Sequence, residues 1–151
     1  MVKRIEKNYQ LTFHKADFAE YTFILKDEEI SNKIAAFLLK YVSIEAFYKK
    51  LLIAEKERNG KKLTAADKKH LSVTVLDVKR VLRYFDISVD EDLIERVFGS
   101  NDKNYMDCSV KKLRDRLVHN VNNNVLRCIL ERYDDINKDL DMFLNLFSIN
   151  C

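Results

Sequence analysis

Apolar residues recur every three or four positions along most of the chain, the spacing of helices that bury one face. The longest such stretch predicts a helix from about Asp27 to Arg58, roughly 45 Å long at about 1.5 Å per residue. The Asn59-Gly60 pair is a typical end for it. The apolar stripe predicted to face the core is Ile30, Ile34, Phe37, Tyr41, Ile44, Tyr48 and Leu51.

The residues ahead of this helix carry a weaker pattern. Residues 1–13 alternate loosely, which fits either a short extended segment or a frayed lead-in. From about His14 to Lys26 the spacing of Phe18, Tyr21 and Leu25 predicts another helix.

Capping residues mark the helices of the middle region. Thr64 with Asp67 resembles a capping box and begins a helix that we expect to run to about Phe85. Its predicted core positions are Leu71, Val75, Val78, Val81 and Leu82.

A shorter helix is expected to begin at Ser88 with Glu91, in a second box-like start, and to end at Gly99. Residues 101–107 form a loop, and either Asp107 or Ser109 caps the helix that follows. A last long helix is predicted from about Asn123 to Phe147. Its apolar stripe is Leu126, Ile129, Leu130, Tyr133, Ile136, Leu140, Phe143 and Phe147.

These elements predict an all-α fold, a bundle of five or six helices with two of them long, in a single domain over residues 1–151. The composition agrees, because the chain has no proline and only two glycines, Gly60 and Gly99, and therefore lacks the residues that tight sheet turns need. No apolar run is long enough to span a membrane, and the N-terminus has no apolar signal region, so we expect a cytoplasmic protein.

The three cysteines are Cys108, Cys128 and Cys151. Their spacing fits no metal site, and their odd number argues against a disulfide framework. We expect reduced thiols, at least one of them in the core. The formal net charge of +3 neither requires nor excludes a nucleic-acid partner, because local patches matter more than the sum.

The stretch LRDRLVHNVNNN, residues 113–124, combines an arginine, an acid and a histidine on one short helix. On a helical wheel over residues 109–121, Asp115 and His119 are neighbours on the face away from the core. Arg114 lies on the flank of the core face and is five residues from His119, so the two diverge by roughly 140°. Either the helix unwinds near His119, or the working site combines two copies of it. The predicted core positions are Val110, Leu113, Leu117 and Val121, with Val118 on the flank.

These residue types suit phosphodiester chemistry. A carboxylate such as Asp115 beside an imidazole fixes its tautomer and favours its charged form, so His119 is a candidate proton donor and acceptor. The planar guanidinium of Arg114 matches a phosphate. Imidazole plus guanidinium, with no metal ligands nearby, is a combination that suits RNA cleavage. The candidates for binding RNA or phosphate around this pair are Lys111, Lys112, Arg116, Asn120 and Arg127.

Simpler interpretations exist for the same residues. An Asp115–His119 pair on an exposed helix face stabilises the helix by only about 0.2–0.5 kcal/mol, and its spacing arises readily by chance. Asn120, Asn122, Asn123 and Asn124 are most simply a turn and a helix cap. The chain has no glycine-rich phosphate loop, HExxH or CxxC pattern, which disfavours P-loop and zinc chemistry.

The segment RDRLVHN, followed by a helix ending in YDDINKDLDMFL, resembles the signature of HEPN domains, whose motif is an arginine, a polar residue, three further residues and a histidine. The resemblance covers about residues 109–147 and is only architectural over 14–98. The commonest second residue of the motif is asparagine, where this chain has Asp115.

The resemblance implies a metal-independent endoribonuclease that needs no cofactor, acts as a homodimer, and leaves 2′,3′-cyclic phosphate and 5′-hydroxyl ends. The resemblance assigns the acid–base role to His119 and the binding of the scissile phosphate to Arg114. Asp115 would orient one of these two side chains. A toxin or phage-defence setting, with a small nucleotidyltransferase as antitoxin partner, is also implied. The alternatives are a non-catalytic HEPN-like module that binds a nucleotide or a protein partner, and an unrelated helical bundle with a regulatory function.

Overall fold

The computed structural model describes residues 26–101, 104–119 and 121–147, which contain seven helices and no strand. They are α1 (Glu28–Arg58), α2 (Ala65–His70), α3 (Val75–Tyr84), α4 (Glu91–Phe98), α5 (Val110–His119), α6 (Asn123–Glu131) and α7 (Tyr133–Asn145). The predicted all-α fold is confirmed. The expectations for residues 1–25 lie outside the described residues.

The chain divides into two compact units, Met1–Asn32 and Lys33–Cys151. In the first unit, the carboxylate of Asp27 accepts a hydrogen bond from the Ile30 backbone N–H at 3.1 Å, which satisfies a free donor at the start of α1. The second unit holds the core and all the candidate site residues. The prediction of a single domain stays a prediction.

Helix α1 begins and ends where the pattern predicts, and its core face is nearly as predicted. The predicted Ile30 and Ile34 are only half-buried, and at the C-terminal end Leu52 is fully buried whereas the predicted Leu51 is half-buried. Leu52 follows Tyr48 by four residues and so continues the same face. Around Tyr48 the rings of Phe98 and Phe143 pack edge to face, with centroids 5.3–6.2 Å apart. The buried residues of α1 are Phe37, Tyr41, Ile44, Tyr48 and Leu52.

The single helix predicted from Thr64 to Phe85 is wrong, because the structure has two helices there. The capping box of Thr64 and Asp67 is confirmed and begins α2. A second capping box, Thr74 with Asp77, begins α3. The two reciprocal hydrogen bonds of that box compete with a continuous helix, and the β-branched residues around Thr74 give the helix little propensity to resist.

Helix α4 is capped by Asp90, whose side chain accepts from the Asp92 backbone N–H at 3.1 Å, and not by the predicted Ser88. It ends at Gly99 as predicted. A Cβ atom at Gly99 would lie 2.4 Å from the backbone oxygen of Glu95, so glycine is needed there for space.

Helix α5 is capped by Ser109, one of the two predicted alternatives. Its hydroxyl accepts from the Lys112 backbone N–H at 3.2 Å and donates to the Gly99 carbonyl at 2.7 Å, so one buried side chain joins α4 to α5. Val121, predicted to be core, is 47% exposed because α5 ends at His119. The predicted core positions Val110, Leu113 and Leu117 are buried.

The last predicted helix is also divided. Arg132 separates α6 from α7, so only α1 is long among the described helices. The Nη1 of Arg132 donates to the Tyr105 carbonyl at 2.9 Å and ties this break to the loop before α5. The buried residues on α6 and α7 are Val125, Leu126, Cys128, Ile129, Ile136, Leu140 and Phe143.

The cysteine prediction is confirmed for the described residues, since Cys108 and Cys128 are buried free thiols. Burial raises the pKa of the Cys128 thiol. Cys151 lies outside the described residues. Among the helices that the structure describes, none has the length and apolar character needed to cross a bilayer.

Candidate functional site

Arg114 is held against α1 by charged and aromatic contacts. Its Nη2 donates to the Glu45 carboxylate at 2.9 Å and lies 3.2 Å from the carboxylate of Asp115. The guanidinium also stacks over the Tyr41 ring, 5.1 Å from its centroid. With its side chain only 20% exposed, Arg114 has little freedom to turn, and its orientation is set by these three neighbours.

Glu45, which contacts Arg114, is itself held by a hydrogen bond from Tyr41. Tyr41 and Glu45 are four residues apart on α1, and the Tyr41 hydroxyl donates to the same Glu45 oxygen at 2.9 Å. Burial, followed by the neighbouring carboxylate, raises the pKa of Tyr41 far above its ordinary value, so the hydroxyl remains a donor. The Glu45 oxygen therefore accepts from two donors, which shares its charge between them.

Part of the Arg114 guanidinium remains unused. Its Nε is buried and has no hydrogen-bond acceptor. Unpaired buried donors are uncommon in proteins, because each costs about 1–3 kcal/mol. This arginine is thus oriented by its contacts with Glu45, Asp115 and Tyr41, and its buried Nε has no acceptor among the described residues.

His119 is the last residue of α5 and is exposed. No hydrogen bond or ion pair joins it to Asp115 among the described residues, and Asp115 lies against Arg114 instead. Of the two roles predicted for Asp115, orienting Arg114 is therefore the one consistent with its contacts. Because α5 stays helical through His119, the wide angle between Arg114 and His119 persists. Helix geometry therefore favours different directions for the two side chains of one copy.

The structure gives two of the predicted phosphate-binding cations a local contact. Lys111 donates to the Val73 carbonyl at 2.8 Å and to the Ser72 hydroxyl at 3.1 Å, and so anchors the segment before α3. Arg116 stacks over the Tyr105 ring, with 4.5 Å between guanidinium carbon and centroid. Both contacts use the side chain to hold the surroundings of α5.

The remaining described candidates lie on α5 and α6. Lys112 is half-buried on α5, and Arg127 is exposed on α6. Asn122 caps α6, accepting from the Val125 backbone N–H at 3.0 Å, as expected of the asparagine run. Asn120 lies outside the described residues.

The sequence did not identify Tyr41 and Glu45 as part of this site. Glu45 is 69 residues before Arg114, and Tyr41 is one helical turn earlier, so only the fold brings them to α5. The one local signal is a tyrosine with an acid four residues later, which places both on neighbouring positions of one helix face.

Neither a metal site nor a deep pocket coincides with these residues. The described residues contain no group of three or more His, Cys, Asp or Glu side chains that could hold a metal ion. A groove of about 430 Å³ lies between α1 and α3 and is lined by Glu55, Arg58, Tyr84 and Phe85 among others. None of its lining residues belongs to the Arg114–His119 motif.

No family model, curated protein or solved structure matches the chain.

Proposed function

We propose that this protein is an HEPN-like, metal-independent endoribonuclease that works as a homodimer. Arg114 binds the scissile phosphate and His119 transfers the proton. The observation that carries the proposal is the Arg114 guanidinium, which Glu45 at 2.9 Å and the Tyr41 ring hold in one orientation. A donor group that is oriented before the ligand arrives costs no reorganisation when charge develops on the phosphate.

The chemistry needs only the two side chains. His119 takes the proton of the ribose 2′-hydroxyl, and the 2′-oxygen forms a bond to phosphorus. The bond from phosphorus to the 5′-oxygen breaks, and the imidazolium returns the proton to that oxygen. Arg114 donates hydrogen bonds to the phosphate oxygens, whose negative charge grows in the transition state. The products are a 2′,3′-cyclic phosphate and a 5′-hydroxyl, and no water is consumed.

Two copies are part of the proposal for a geometric reason. Arg114 and His119 diverge along one regular helix, so the imidazole of one copy must meet the guanidinium of the other. Each dimer then has two equivalent composite sites. We propose that Lys112, which is half-buried on α5, and Arg127, which is exposed on α6, extend the binding surface for RNA.

Cleavage in EDTA is the direct test. We expect the purified protein to cut single-stranded RNA in excess EDTA and to leave 2′,3′-cyclic phosphate and 5′-hydroxyl ends, identified by end-labelling and mass spectrometry. Cleavage that requires added Mg²⁺, or that leaves 3′-hydroxyl ends, would overturn the proposed chemistry.

The biological role is also inferred from the resemblance to HEPN domains. We propose a toxin or phage-defence role in which a small nucleotidyltransferase restrains the nuclease as its antitoxin. Co-expression with such a partner should relieve growth arrest caused by this chain, and should fail to matter for a His119→Ala variant.

The second candidate is a non-catalytic helical module that binds a nucleotide or a protein partner. The Arg114–Glu45 ion pair favours it, since a carboxylate already occupies one amino group of the arginine and opposes an anionic ligand. The two candidates separate cleanly, because the module binds RNA or protein without changing the length of an RNA substrate.

A further inference from the structure

The groove of about 430 Å³ between α1 and α3 combines apolar, aromatic and charged lining residues. We call it the α1–α3 groove, and it is lined by Leu51, Ala54, Glu55, Arg58, Tyr84 and Phe85 among others. On α1, at about 100° per residue, Arg58 lies on one flank of the core face, whereas Glu45, which contacts Arg114, lies on the other flank. The α1–α3 groove is therefore a surface separate from the motif.

Two adjacent aromatic residues at the end of α3 are exposed at this groove. Tyr84 is 62% exposed and Phe85 is 45% exposed. Their rings pack edge to face with centroids 5.2 Å apart, and the Phe147 ring packs edge to face on Phe85 at 5.5 Å. Tyr84 is also held from α1, because Arg58 donates a hydrogen bond to its hydroxyl and places its guanidinium 5.9 Å from the ring centroid. Exposed rings that neighbours already hold in place lose little conformational freedom when a flat ligand stacks on them.

Positive charge is concentrated in the segment that forms the α1–α3 groove. Residues 55–86 hold nine lysines and arginines against five acids, whereas the whole chain has 27 against 24. Lys61 and Lys62 are exposed and closely follow the lining residue Asn59. Arg83 is exposed and directly precedes Tyr84. This local excess of positive charge favours an anionic ligand.

The acids of the same segment are mostly engaged with neighbouring groups. Glu55, in the groove itself, pairs with Arg80 at 3.6 Å, and Glu57 pairs with Lys68 at 3.0 Å. Two further acids cap α2 and α3, where they accept hydrogen bonds from the backbone. The fifth acid, Asp86, is exposed directly after the aromatic pair. We therefore expect a bound anion on the α1 side of the two rings, away from Asp86.

We propose that the α1–α3 groove binds single-stranded RNA, with one base stacked on the rings of Tyr84 and Phe85. The adjoining phosphates lie against Arg58, Lys61 and Lys62. Stacking on aromatic rings in a positively charged groove is a general way of holding a single strand without reading its sequence. The inference rests on the proposed function for the identity of the ligand, and it gives the RNA a contact separate from the side chains that cleave it.

The combination of rings and cations favours a single strand over other anionic ligands. Aromatic side chains stack on bases that are unpaired, which disfavours a duplex. An acidic peptide would neutralise the cations, but it lacks a planar base for the exposed rings of Tyr84 and Phe85. A single strand matches both the positive charge and the flat apolar surface of the groove.

Fluorescence anisotropy tests the stacking contact. The probe is labelled 2′-O-methyl oligouridine, which lacks the 2′-hydroxyl needed for the proposed cleavage and therefore stays intact. We expect Tyr84→Ala to weaken probe binding by roughly 5- to 150-fold, the contribution of one stacked base. Tyr84→Phe keeps the ring and should bind as the parent does. Leu76→Ala should also bind as the parent does, because Leu76 is 72% exposed on α3 but does not line the groove. A parent chain that does not bind the probe, or a folded Tyr84→Ala variant with parent affinity, would rule out the proposed site.

The salt dependence of probe binding tests the phosphate contacts. Lys61→Gln with Lys62→Gln should make the slope of log affinity against log salt concentration shallower by about 1.4, at about 0.7 for each phosphate of a single strand. Tyr84→Ala should leave the slope unchanged, because the ring carries no charge. Lys138→Gln is the control and should also leave it unchanged, since Lys138 is exposed on α7. An unchanged slope in the double variant, or polyglutamate that displaces the probe as well as RNA does, would contradict RNA binding at the groove.

The outcomes separate the groove from the nuclease. Probe binding that depends on Tyr84, in a parent chain that leaves RNA uncut in EDTA, would refute the proposed function and keep the groove as an RNA-binding site. RNA cleavage by a parent chain whose probe binding is insensitive to Tyr84→Ala would refute the groove and keep the nuclease.

Discussion

Replacing His119 with alanine is expected to lower the rate of RNA cleavage by about 10²–10⁴-fold, the usual contribution of a side chain that transfers a proton in the transition state. The His119→Ala variant lacks the side chain that is proposed to take the proton from the 2′-hydroxyl. The fold should be unaffected, because His119 is exposed at the end of its helix and exposed substitutions usually change stability by less than about 0.5 kcal/mol.

The measurement is the initial rate of cleavage of a labelled RNA in EDTA, together with a thermal unfolding curve for each variant. His70→Ala is the matched control, since His70 is also an exposed histidine at the end of a helix but lies on α2. It should cleave at the parent rate. Equal rates for His119→Ala and the parent would remove His119 from the mechanism.

Replacing Arg114 with alanine is expected to lower the cleavage rate by about 10²–10³-fold, because one oriented donor to a developing oxyanion is worth that much. Arg114→Lys should restore little of the activity. A lysine has the charge but lacks the planar fork that contacts Glu45 and the phosphate at once.

This substitution also affects folding, and the experiment has to separate the two effects. Removing the guanidinium leaves Glu45 partly buried with Tyr41 as its remaining donor, which costs about 1–3 kcal/mol. Arg96→Ala is the control for the loss of an arginine ion pair. Arg96 lies on α4, and its side chain donates to the Asp139 carboxylate of α7 at 3.0 and 3.2 Å. A folded Arg114→Ala variant with parent activity would show that Arg114 is structural alone.

Much of the fold was predictable from the sequence, because it depends on local signals. The bounds of α1, the end of α4 at Gly99 and the buried face of α5 follow from periodicity and from helix-ending residues. The division between α2 and α3 was also readable, since the capping box of Thr74 and Asp77 is a local pattern. The break at Arg132 was not, because it coincides with a hydrogen bond to the distant Tyr105 carbonyl.

Some features of the candidate site were predictable from the sequence, and others were not. The placement of Arg114, Asp115 and His119 on one helix, and the wide angle between Arg114 and His119, follow from helical geometry alone. The contacts that orient Arg114 come from Tyr41 and Glu45 on α1 and required the tertiary structure. The spacing of residues along α5 does not predict which distant helix α5 packs against.

The composite site is tested most directly by mixing two inactive variants. Arg114→Ala and His119→Ala chains, each nearly inactive by itself, are allowed to exchange subunits and are then assayed for RNA cleavage in EDTA. In a mixed dimer one site loses both groups and the other keeps Arg114 from one copy and His119 from the other, so about a quarter of the parent activity should return. If the mixture stays as inactive as its components while mixed dimers are shown to form, the two groups do not meet across the interface and the central claim is wrong.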